Sequence, residues 1–429
     1  MKQTVESVSA IGGTMEVPGD KSISHRSVMI GSIAKGITKF EGFLNADDCL
    51  STINVFRHLG VKIDKVGEHS YLVNGKGLKG LKEPDTILDV GNSGTTIRLI
   101  SGILAGHHFH SILTGDNSIR RRPMGRIVEP LTMMGADIDG RDYGKYAPLS
   151  IRGTDLKGIA YKSPVASAQI KSAILFAGLF ADRETTVEEP YLSRNHSEKM
   201  LSHFGARLKV DKNSVTIWPK PNLEGQQINV PGDFSSAAFF IAAALIVPTS
   251  RLVIKNVGIN PTRIGFLEAV KSMNGKVEVI NSYYYGEEPT ADILIEASQL
   301  SGINISGEWI PKIIDELPLL AVIASQAEGV TKVTDAGELR VKETDRIKTV
   351  TGELRKVGVE IEELEDGFII QGKQKIGGGT VSTHGDHRIG MAMAIAGLIA
   401  KEKIEIEDTE AINISYPNFF KDLNKITKN

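Results

Sequence analysis

One pattern of hydrophobic and polar positions recurs along the 429-residue chain. In each copy, a turn rich in Pro, Gly, Asp or Asn precedes a Ser- or Thr-rich segment, an apolar run of helical length and a short β-branched strand. The six copies begin at Val17, Val90, Lys162, Val230, Glu308 and Thr383. Their spacing of about 70 residues exceeds that of solenoid repeats, which indicates that each copy is a small folded unit.

A second, more polar helix is predicted between successive copies. Apolar residues recur there at three- and four-residue spacing before a Gly, the pattern of an amphipathic helix with a Gly C-cap. Examples are DDCLSTINVFRHLG, SEKMLSHFG and DRIKTVTGELRKVG. Helices that alternate with short strands predict an α/β protein. A scaffold solenoid is the alternative, but it predicts interchangeable repeats, whereas the polar residues at the helix starts differ between these copies.

The near-identical VPGD segments at Val17 and Val230 indicate that the chain begins again about halfway. We therefore expect two domains of three units each. The first covers residues 14–228, and the second covers residues 1–13 plus 229–429. Because two segments of the chain would then link the domains, we expect the active site in the cleft between them.

The composition restricts the class of protein. Hydrophobic residues make up 41% of the chain and charged residues 24%, as in globular proteins. The net charge of −2 argues against nucleic acid or an anionic membrane as the main partner. The single cysteine, Cys49, fits a reducing compartment. Since there is also no signal peptide and no apolar run of membrane-spanning length, we expect a cytoplasmic protein.

Cations and hydroxyls recur at the predicted helix starts. A helix N-terminus has unpaired N–H groups and a partial positive charge, so it attracts phosphates and carboxylates. The residues at or near these helix starts are Lys21, Ser22, Arg26, Gly94, Thr95, Ser167, Gln169 and Arg388. Further cations between the copies are Arg122, Arg194, Lys342 and Arg346. A lone arginine is best interpreted as a solvated surface charge, but recurrence in a near-neutral chain predicts a ligand, or ligand pair, with several negative charges.

Two acidic segments interrupt this basic set. Asp315 lies in IIDELP, and Glu343 lies in RVKETDRIK. A carboxylate among cations either holds a lysine or arginine in place or transfers protons. For Glu343, a helix N-terminal carboxylate that complements the helix dipole is an equally good interpretation, and the sequence leaves both open.

An ordered series of motifs resembles one family, the 5-enolpyruvylshikimate-3-phosphate synthases (3-phosphoshikimate 1-carboxyvinyltransferases). The motifs are PGDKSISHR, GNSGTTIR, RRRPM, SAQIK, PGDFSSAAF, DELP, RVKETDRI and GDHRIGMA, and the resemblance runs from Gly12 to Phe420. It implies an α/β fold of two domains, each with three βαβαββ units in an inside-out α/β barrel arrangement.

The resemblance also implies a reaction. Phosphoenolpyruvate and shikimate 3-phosphate would give 5-enolpyruvylshikimate 3-phosphate and phosphate by addition and elimination through a tetrahedral intermediate, on the route to chorismate and the aromatic amino acids. These two small molecules are the only implied partners, with no nucleic acid and no membrane, and the enzyme would be a monomer. No metal or organic cofactor is implied, and activation by a monovalent cation is left open.

Each motif residue takes an expected role from the resemblance. The residues expected to hold shikimate 3-phosphate are Lys21, Ser22, Arg26, Thr95, Ser167, Gln169, Arg194, Asp315 and Lys342. Those expected to hold phosphoenolpyruvate are Lys21, Gly94, Arg122, Gln169, Glu343, Arg346 and Arg388. The expected catalytic residues are Lys21, Asp315 and Glu343.

Details of the motifs resemble the class II subgroup. Its marks include Ala168 in SAQIK and the RNHSE segment from Arg194. Members of this subgroup are often tolerant of the herbicide glyphosate, which occupies the phosphoenolpyruvate site, and Gly94 is retained here. Leu99 stands where Pro is common, and Ile414 replaces a lysine that would contact phosphoenolpyruvate.

Three other functions are alternatives to this one. UDP-N-acetylglucosamine enolpyruvyl transferase usually has Asn at the position of Ser22 and a Cys in the loop that corresponds to residues 116–126, which has none. An RNA 3′-phosphate cyclase would need a nucleotide-reactive histidine and a more basic surface. A non-catalytic anion-binding repeat protein would not need Lys21, Asp315 and Glu343 together.

Overall fold

In the computed structural model, which describes residues 1–427, a helix forms at each position where the repeat predicts one. They are α1 (Lys21–Ile33), α2 (Asp47–His58), α3 (Gly94–Ala105), α4 (Gly125–Met133), α5 (Ala168–Gly178), α6 (His196–His203), α7 (Phe234–Ile246), α8 (Gly265–Ser272), α9 (Ile310–Ile313), α10 (Leu317–Ala324), α11 (Arg346–Lys356), α12 (His387–Gly397) and α13 (Phe419–Thr427). Short 3₁₀ turns cover Ile119–Arg121, Gly307–Trp309, Ile314–Glu316, Gly337–Val341 and Thr409–Ile414.

The strands are short, as the β-branched segments predict. They are β1 (Lys2–Val5), β2 (Gly12–Glu16), β3 (Lys35–Glu41), β4 (Lys62–Gly67), β5 (Ser70–Lys76), β6 (Leu88–Asp89), β7 (His110–Thr114), β8 (Asp137–Arg141), β9 (Tyr146–Arg152), β10 (Ala160–Lys162), β11 (Thr185–Glu188), β12 (Leu208–Asp211), β13 (Ser214–Ile217), β14 (Gln227–Asn229), β15 (Arg251–Gly258), β16 (Lys276–Tyr285), β17 (Glu288–Glu296), β18 (Asn304–Ile305), β19 (Val330–Val333), β20 (Ile361–Leu364), β21 (Gly367–Gln371), β22 (Gly379–Ser382) and β23 (Ile404–Glu407).

The six sheets within residues 1–427 share one strand order, which confirms the repeat. In the sheet β10-β11-β13-β12, the edge strand β10 is parallel to β11, and β11 is antiparallel to β13. The sheets β14-β3-β5-β4, β6-β7-β9-β8, β2-β15-β17-β16 and β18-β19-β21-β20 follow the same order. The sheet β22-β23-β1 contains the first three strands of that order. The mixed α/β class expected from the sequence is therefore confirmed.

The chain divides into two compact units. Unit 1 consists of Met1–Pro18, Pro231–Tyr284 and the chain from Glu288 onward, and unit 2 consists of Gly19–Val230 and Tyr285–Glu287. The strand β2 belongs to unit 1 because it pairs with β15, from Gly12 opposite Arg251, so unit 2 starts five residues later than residue 14. Residues 428 and 429 of the expected second domain lie outside the described residues.

Each unit has its own hydrophobic core, built from the helices that open the three copies. In unit 2, α3 packs on α5, and in unit 1, α10 packs on α12. The apolar run from Ala237 to Val247 forms most of α7 and is buried nearly throughout, as expected of a helix that is apolar on all sides. No helix within residues 1–427 is long and apolar enough to cross a membrane.

Candidate functional site

The first anion-binding element of unit 2 is the start of α1. Asp20 caps the helix, since its carboxylate accepts a hydrogen bond of 2.8 Å from the Ile23 N–H. Lys21 is the first helical residue, and its ammonium forms an ion pair with the buried carboxylate of Asp48 at the start of α2. Asp48 therefore holds the ammonium in place. The lysine side chain is 21% exposed, so it remains partly accessible to a ligand.

Arg26 joins the first copy of the repeat to the third. The side chain is 4% exposed. Its Nε donates to Ser197 Oγ at 2.7 Å, and one terminal nitrogen donates to Ser172 Oγ at 3.0 Å. The other terminal nitrogen donates to the Ser22 carbonyl at 3.0 Å. Hydroxyl and carbonyl oxygens fix the orientation of the guanidinium in these contacts.

Gln169 links the second copy to the third. Its amide nitrogen donates to Thr95 Oγ1 at 3.2 Å, and its amide oxygen accepts from Arg98 at 2.6 Å. Arg98 also donates to the Pro123 carbonyl at 3.0 Å. The α3 helix is capped by Ser93, which accepts a hydrogen bond of 3.1 Å from the Thr96 N–H. The predicted residues Thr95 and Gln169 are therefore in direct contact.

Arg122 lies against the N-terminus of α3. It follows the 3₁₀ turn Ile119–Arg121, is 7% exposed, and donates to the Asn92 carbonyl at 3.5 Å. A Cβ atom added to Gly94 would lie 2.8 Å from the Arg122 guanidinium carbon. An added methyl group would therefore displace the guanidinium from its place beside the first N–H groups of this helix, where both attract an anion.

Ser167 and Arg194 complete the predicted set in unit 2. Ser167 caps α5, and its Oγ accepts from the Ile170 N–H at 3.4 Å, a long bond that leaves the hydroxyl hydrogen to donate elsewhere. Arg194 is half-buried on the loop between β11 and α6.

The predicted residues of unit 1 converge on Arg346, whose side chain is 1% exposed. Arg346 is the first residue of α11, which Asp345 caps. Its guanidinium pairs with Asp386 at 2.7 Å, with Glu343 at 2.6 Å and with Asp315 at 3.2 Å. This cluster brings both predicted proton-transfer carboxylates to one guanidinium.

Two further cations border the same cluster. Arg388, on the first turn of α12, donates to the Asp315 carbonyl at 3.0 Å and pairs with Glu316 at 3.3 Å. Its other terminal nitrogen lies 3.8 Å from the Asp315 carboxylate. Lys342 pairs with Asp315 at 3.6 Å and is 26% exposed. Asp315 is thus adjacent to three cations, Lys342, Arg346 and Arg388.

The electrostatics of unit 1 follow from burial and pairing. Burial alone would raise the pKa of Asp386, but the Arg346 guanidinium outweighs it and holds the pKa below its usual range. Burial likewise opposes the charge of Arg346, yet Asp386, Glu343 and Asp315 hold its pKa above the ordinary value. Arg346 and Asp386 are therefore both charged at neutral pH.

Several residues of the site were not predicted from the sequence. Asp48 holds Lys21, and Asp386 both caps α12 and pairs with Arg346. The carboxylate of Glu189, directly after β11, accepts the Ser167 N–H at 2.8 Å. An Asp before a helix is a recognisable cap signal, so the capping role of Asp386 could have been predicted. Its ion pair with Arg346 could not.

The three histidines after α3 form no metal site. His107 is buried against the Ile103 carbonyl at 2.9 Å, and His110 contacts Ser150 Oγ at 2.9 Å. Across residues 1–427, no group of three or more His, Cys, Asp or Glu residues could hold a metal ion.

Each unit has groups suited to binding small, multiply anionic molecules, and unit 1 adds carboxylates that can exchange protons. Residues 5–423 match the family described as EPSP synthase (3-phosphoshikimate 1-carboxyvinyltransferase). The chain is 55% identical over 424 residues to a 3-phosphoshikimate 1-carboxyvinyltransferase of Bacillus subtilis, a match that covers 99% of each protein. A relative of the same name from Thermoanaerobacter is 54% identical over 95% of this chain and 96% of its own.

A solved EPSP synthase structure from Acinetobacter baumannii has the same fold, with a TM-score of 0.88. It is 44% identical and covers 99% of this chain and 98% of its own. The chain therefore belongs to the EPSP synthase family.

Proposed function

We propose that this protein transfers the enolpyruvyl group of phosphoenolpyruvate to the 5-hydroxyl of shikimate 3-phosphate and releases phosphate, a step on the route to chorismate. The observation that carries the proposal is the cluster of Asp315 and Glu343 around Arg346, with Arg388 and Lys342 beside it. Such a cluster can bind an anion and exchange protons with it, and both are needed for an enolpyruvyl transfer.

The first substrate, shikimate 3-phosphate, carries a phosphate and a carboxylate. In unit 2, Ser22, Arg26, Ser167 and Arg194 supply cations and hydroxyls for these groups, and Thr95 and Gln169 supply neutral hydrogen bonds. In unit 1, Asp315 accepts from a substrate hydroxyl and Lys342 binds an anionic oxygen. That both units act on one substrate follows from the family resemblance and stays a prediction.

The second substrate, phosphoenolpyruvate, also carries a phosphate and a carboxylate. Arg122, Arg346 and Arg388 are its proposed ligands, because a guanidinium binds either group through two parallel hydrogen bonds. The N–H of Gly94 at the start of α3 adds a donor, and Lys21 and Gln169 are proposed to contact this substrate as well.

Lys21, Asp315 and Glu343 are proposed to carry the protons. In the addition, the 5-hydroxyl loses its proton and its oxygen bonds to C2 of phosphoenolpyruvate, while C3 gains a proton and becomes a methyl group. In the elimination, the C2–O bond to phosphate breaks and C3 returns a proton, which restores the double bond. The surrounding cations stabilise the negative charge that develops on the carboxylate and on the leaving phosphate.

A requirement for both substrates tests the function. We expect phosphate release only when phosphoenolpyruvate and shikimate 3-phosphate are both present. We expect none when UDP-N-acetylglucosamine replaces shikimate 3-phosphate. Phosphate released with the nucleotide sugar would contradict the proposal. We further propose that the enzyme acts as a cytoplasmic monomer, with its buried thiol Cys49 reduced; sedimentation of the purified protein tests the monomer.

A further inference from the structure

A second buried charge cluster lies in unit 2, away from the groups to which a chemical step has been given. Lys171 on α5 forms ion pairs with Glu189 at 2.9 Å and with Glu198 on α6 at 2.8 Å. The lysine and Glu189 side chains are each 1% exposed, and that of Glu198 is 5% exposed. Burying three ionised groups costs desolvation free energy. A role in fixing the local geometry would explain why such a cluster is kept despite that cost.

The charge state of the cluster is defined by its own members. Burial alone would lower the pKa of Lys171, but the carboxylates of Glu198 and Glu189 outweigh it and hold the pKa above its usual value. The lysine is therefore charged throughout the neutral range, and Glu189 keeps a charged partner on one oxygen.

Glu189 uses its carboxylate oxygens to tie two loops together. Oε1 accepts the Ser167 N–H at 2.8 Å, at the cap of α5. Oε2 accepts the Ser193 hydroxyl at 2.8 Å and lies 3.4 Å from the Ser193 N–H. The Lys171 ammonium also donates to the Ser193 carbonyl at 3.4 Å. The residue that follows Ser193 is Arg194.

The sheet explains why these two loops meet. Strands β10 and β11 are parallel, with Lys162 opposite Glu188, so both run out at the same edge. The segment after β10 leads to Ser167, and the segment after β11 leads to Arg194. Loops at the carboxyl ends of parallel strands are where α/β proteins bind ligands.

We propose that Glu189, clamped by Lys171, is a positioning residue for shikimate 3-phosphate, because one carboxylate sets both the Ser167 cap and the Ser193–Arg194 turn. This inference rests on the proposed function, which assigns Ser167 and Arg194 to that substrate. Glu189 touches no reacting atom in this role. Its loss should therefore weaken binding of one substrate and leave the chemical step and the other substrate unchanged.

The test uses Glu189→Gln in the full-length protein. Gln retains an oxygen for the Ser167 N–H but places an amide against the Lys171 ammonium. We expect the Kd and KM for shikimate 3-phosphate to rise about tenfold, the factor for one lost charged hydrogen bond. The KM for phosphoenolpyruvate and kcat should stay within about twofold of wild type. Gln169, the group on α5 that is assigned to phosphoenolpyruvate, is also held by Thr95 and Arg98, which Glu189 does not contact.

Two further variants separate positioning from general destabilisation. Ser193→Ala removes only the hydroxyl bond to Glu189 and should give a smaller shift in the same direction, and it serves if Glu189→Gln does not fold. Leu175→Ala opens a cavity in the buried face of α5, so it lowers the melting temperature without touching either loop. We expect its KM for shikimate 3-phosphate to equal that of wild type.

A structural readout accompanies the kinetics. Amide hydrogen exchange should be faster in segments 163–170 and 190–196 of Glu189→Gln, and unchanged in α1. The inference is overturned if folded Glu189→Gln, or Ser193→Ala in its place, shifts both KM values equally or neither, while wild type works normally. Failure of wild type to bind shikimate 3-phosphate would instead overturn the proposed function, and this inference with it.

Discussion

Two buried arginines, Arg26 on α1 in unit 2 and Arg346 at the start of α11 in unit 1, illustrate two ways of burying a cation. Both are nearly inaccessible, at 4% and 1% exposure. Arg26 is held by the hydroxyls of Ser197 and Ser172 and by a carbonyl, whereas Arg346 is held by the carboxylates of Asp386, Glu343 and Asp315. Hydroxyls orient a guanidinium through neutral hydrogen bonds, whereas carboxylates compensate its charge and can themselves exchange protons.

The difference suggests a division of labour within one repeated scaffold. Under the proposed function, the Arg26 site of unit 2 binds an anion without a chemical step of its own, whereas the Arg346 cluster of unit 1 binds an anion and exchanges protons. If this comparison is correct, neutral and charged partners should differ in both the size and the kind of effect when they are removed. The four substitutions below test it, starting with the largest expected effect.

Glu343→Gln should have the largest effect. The amide oxygen can still accept from Arg346, so we expect the Kd of phosphoenolpyruvate to change little, whereas kcat should fall about 10²- to 10⁴-fold because the proton carrier is lost. Single-turnover phosphate release measures the chemical step. Glu363→Gln, which removes a carboxylate paired with Arg340, is the matched control and should keep full turnover. Unchanged turnover in Glu343→Gln would remove Glu343 from the mechanism.

Asp386→Asn should have the largest effect on stability. Asn can still cap α12, but it removes the 2.7 Å ion pair between the buried Arg346 and the fully buried carboxylate of Asp386. We expect a loss of about 3 kcal/mol or more in the free energy of unfolding, the usual cost of breaking a buried ion pair from one side. Urea unfolding at pH 7 measures this loss. A loss below about 1 kcal/mol, the range of neutral hydrogen bonds, would contradict the comparison.

The same pair predicts a pH dependence with a definite sign. The pKa of Asp386 is lower in the folded protein than in the unfolded chain. Its stabilisation is therefore fully present above the unfolded pKa, about 3.9, and is lost as the pH falls through the folded value. We expect the wild-type protein to lose stability below about pH 4 more steeply than Asp386→Asn. Parallel pH profiles for the two proteins would show that folding does not lower the pKa of Asp386.

The helix starts could be predicted from the sequence because capping is local. Asp20, Ser93 and Ser167 cap their helices at the positions that the repeat indicates, within three residues of the N–H groups they accept. The side-chain contacts across the fold could not be predicted. Arg26 and Ser197 are 171 residues apart, and Arg346 and Asp386 are 40 apart. Such contacts depend on how the copies pack, which no periodicity encodes.

The family resemblance supplied what periodicity could not, and only for motif residues. It assigned Asp315 and Glu343 to one site, and the structure brings both to Arg346. It gave no role to Asp48 or Glu189, because these residues act through Lys21 and Ser167. The role of such a supporting carboxylate can be recognised only in the three-dimensional structure, where its contacts are seen.

Gly94→Ala should have a moderate effect confined to one substrate. The new methyl group would lie 2.8 Å from the Arg122 guanidinium, which can move because it is the far end of a flexible side chain. We expect the KM for phosphoenolpyruvate to rise about tenfold, with the KM for shikimate 3-phosphate and the fold retained. Gly352→Ala in α11, where nothing lies within 4 Å of the added atom, is the control and should leave both KM values unchanged. Equal shifts in both KM values would show that Arg122 is not specific to one substrate.

Ser197→Ala should have the smallest effect, and it probes the neutral side of the comparison directly. Arg26 loses the acceptor of its Nε but keeps Ser172 and the Ser22 carbonyl, so we expect a loss of about 1 kcal/mol in the free energy of unfolding. Its KM for shikimate 3-phosphate should rise only about twofold, because the charge of Arg26 is unchanged. Ser32→Ala, which removes a hydroxyl bonded within α1 to the Val28 carbonyl, is the control for hydroxyl loss alone.

The size of the Ser197→Ala effect decides how the comparison should be interpreted. A loss as large as that of Asp386→Asn would mean that a hydroxyl and a carboxylate are equivalent anchors for a buried guanidinium, and the proposed division between the units would fail. A small loss with a selective change in one KM would show that unit 2 keeps its arginine charge for the ligand. The hydroxyl partners would then be what makes Arg26 a phosphate ligand, whereas Arg346 shares its charge with the groups that move protons.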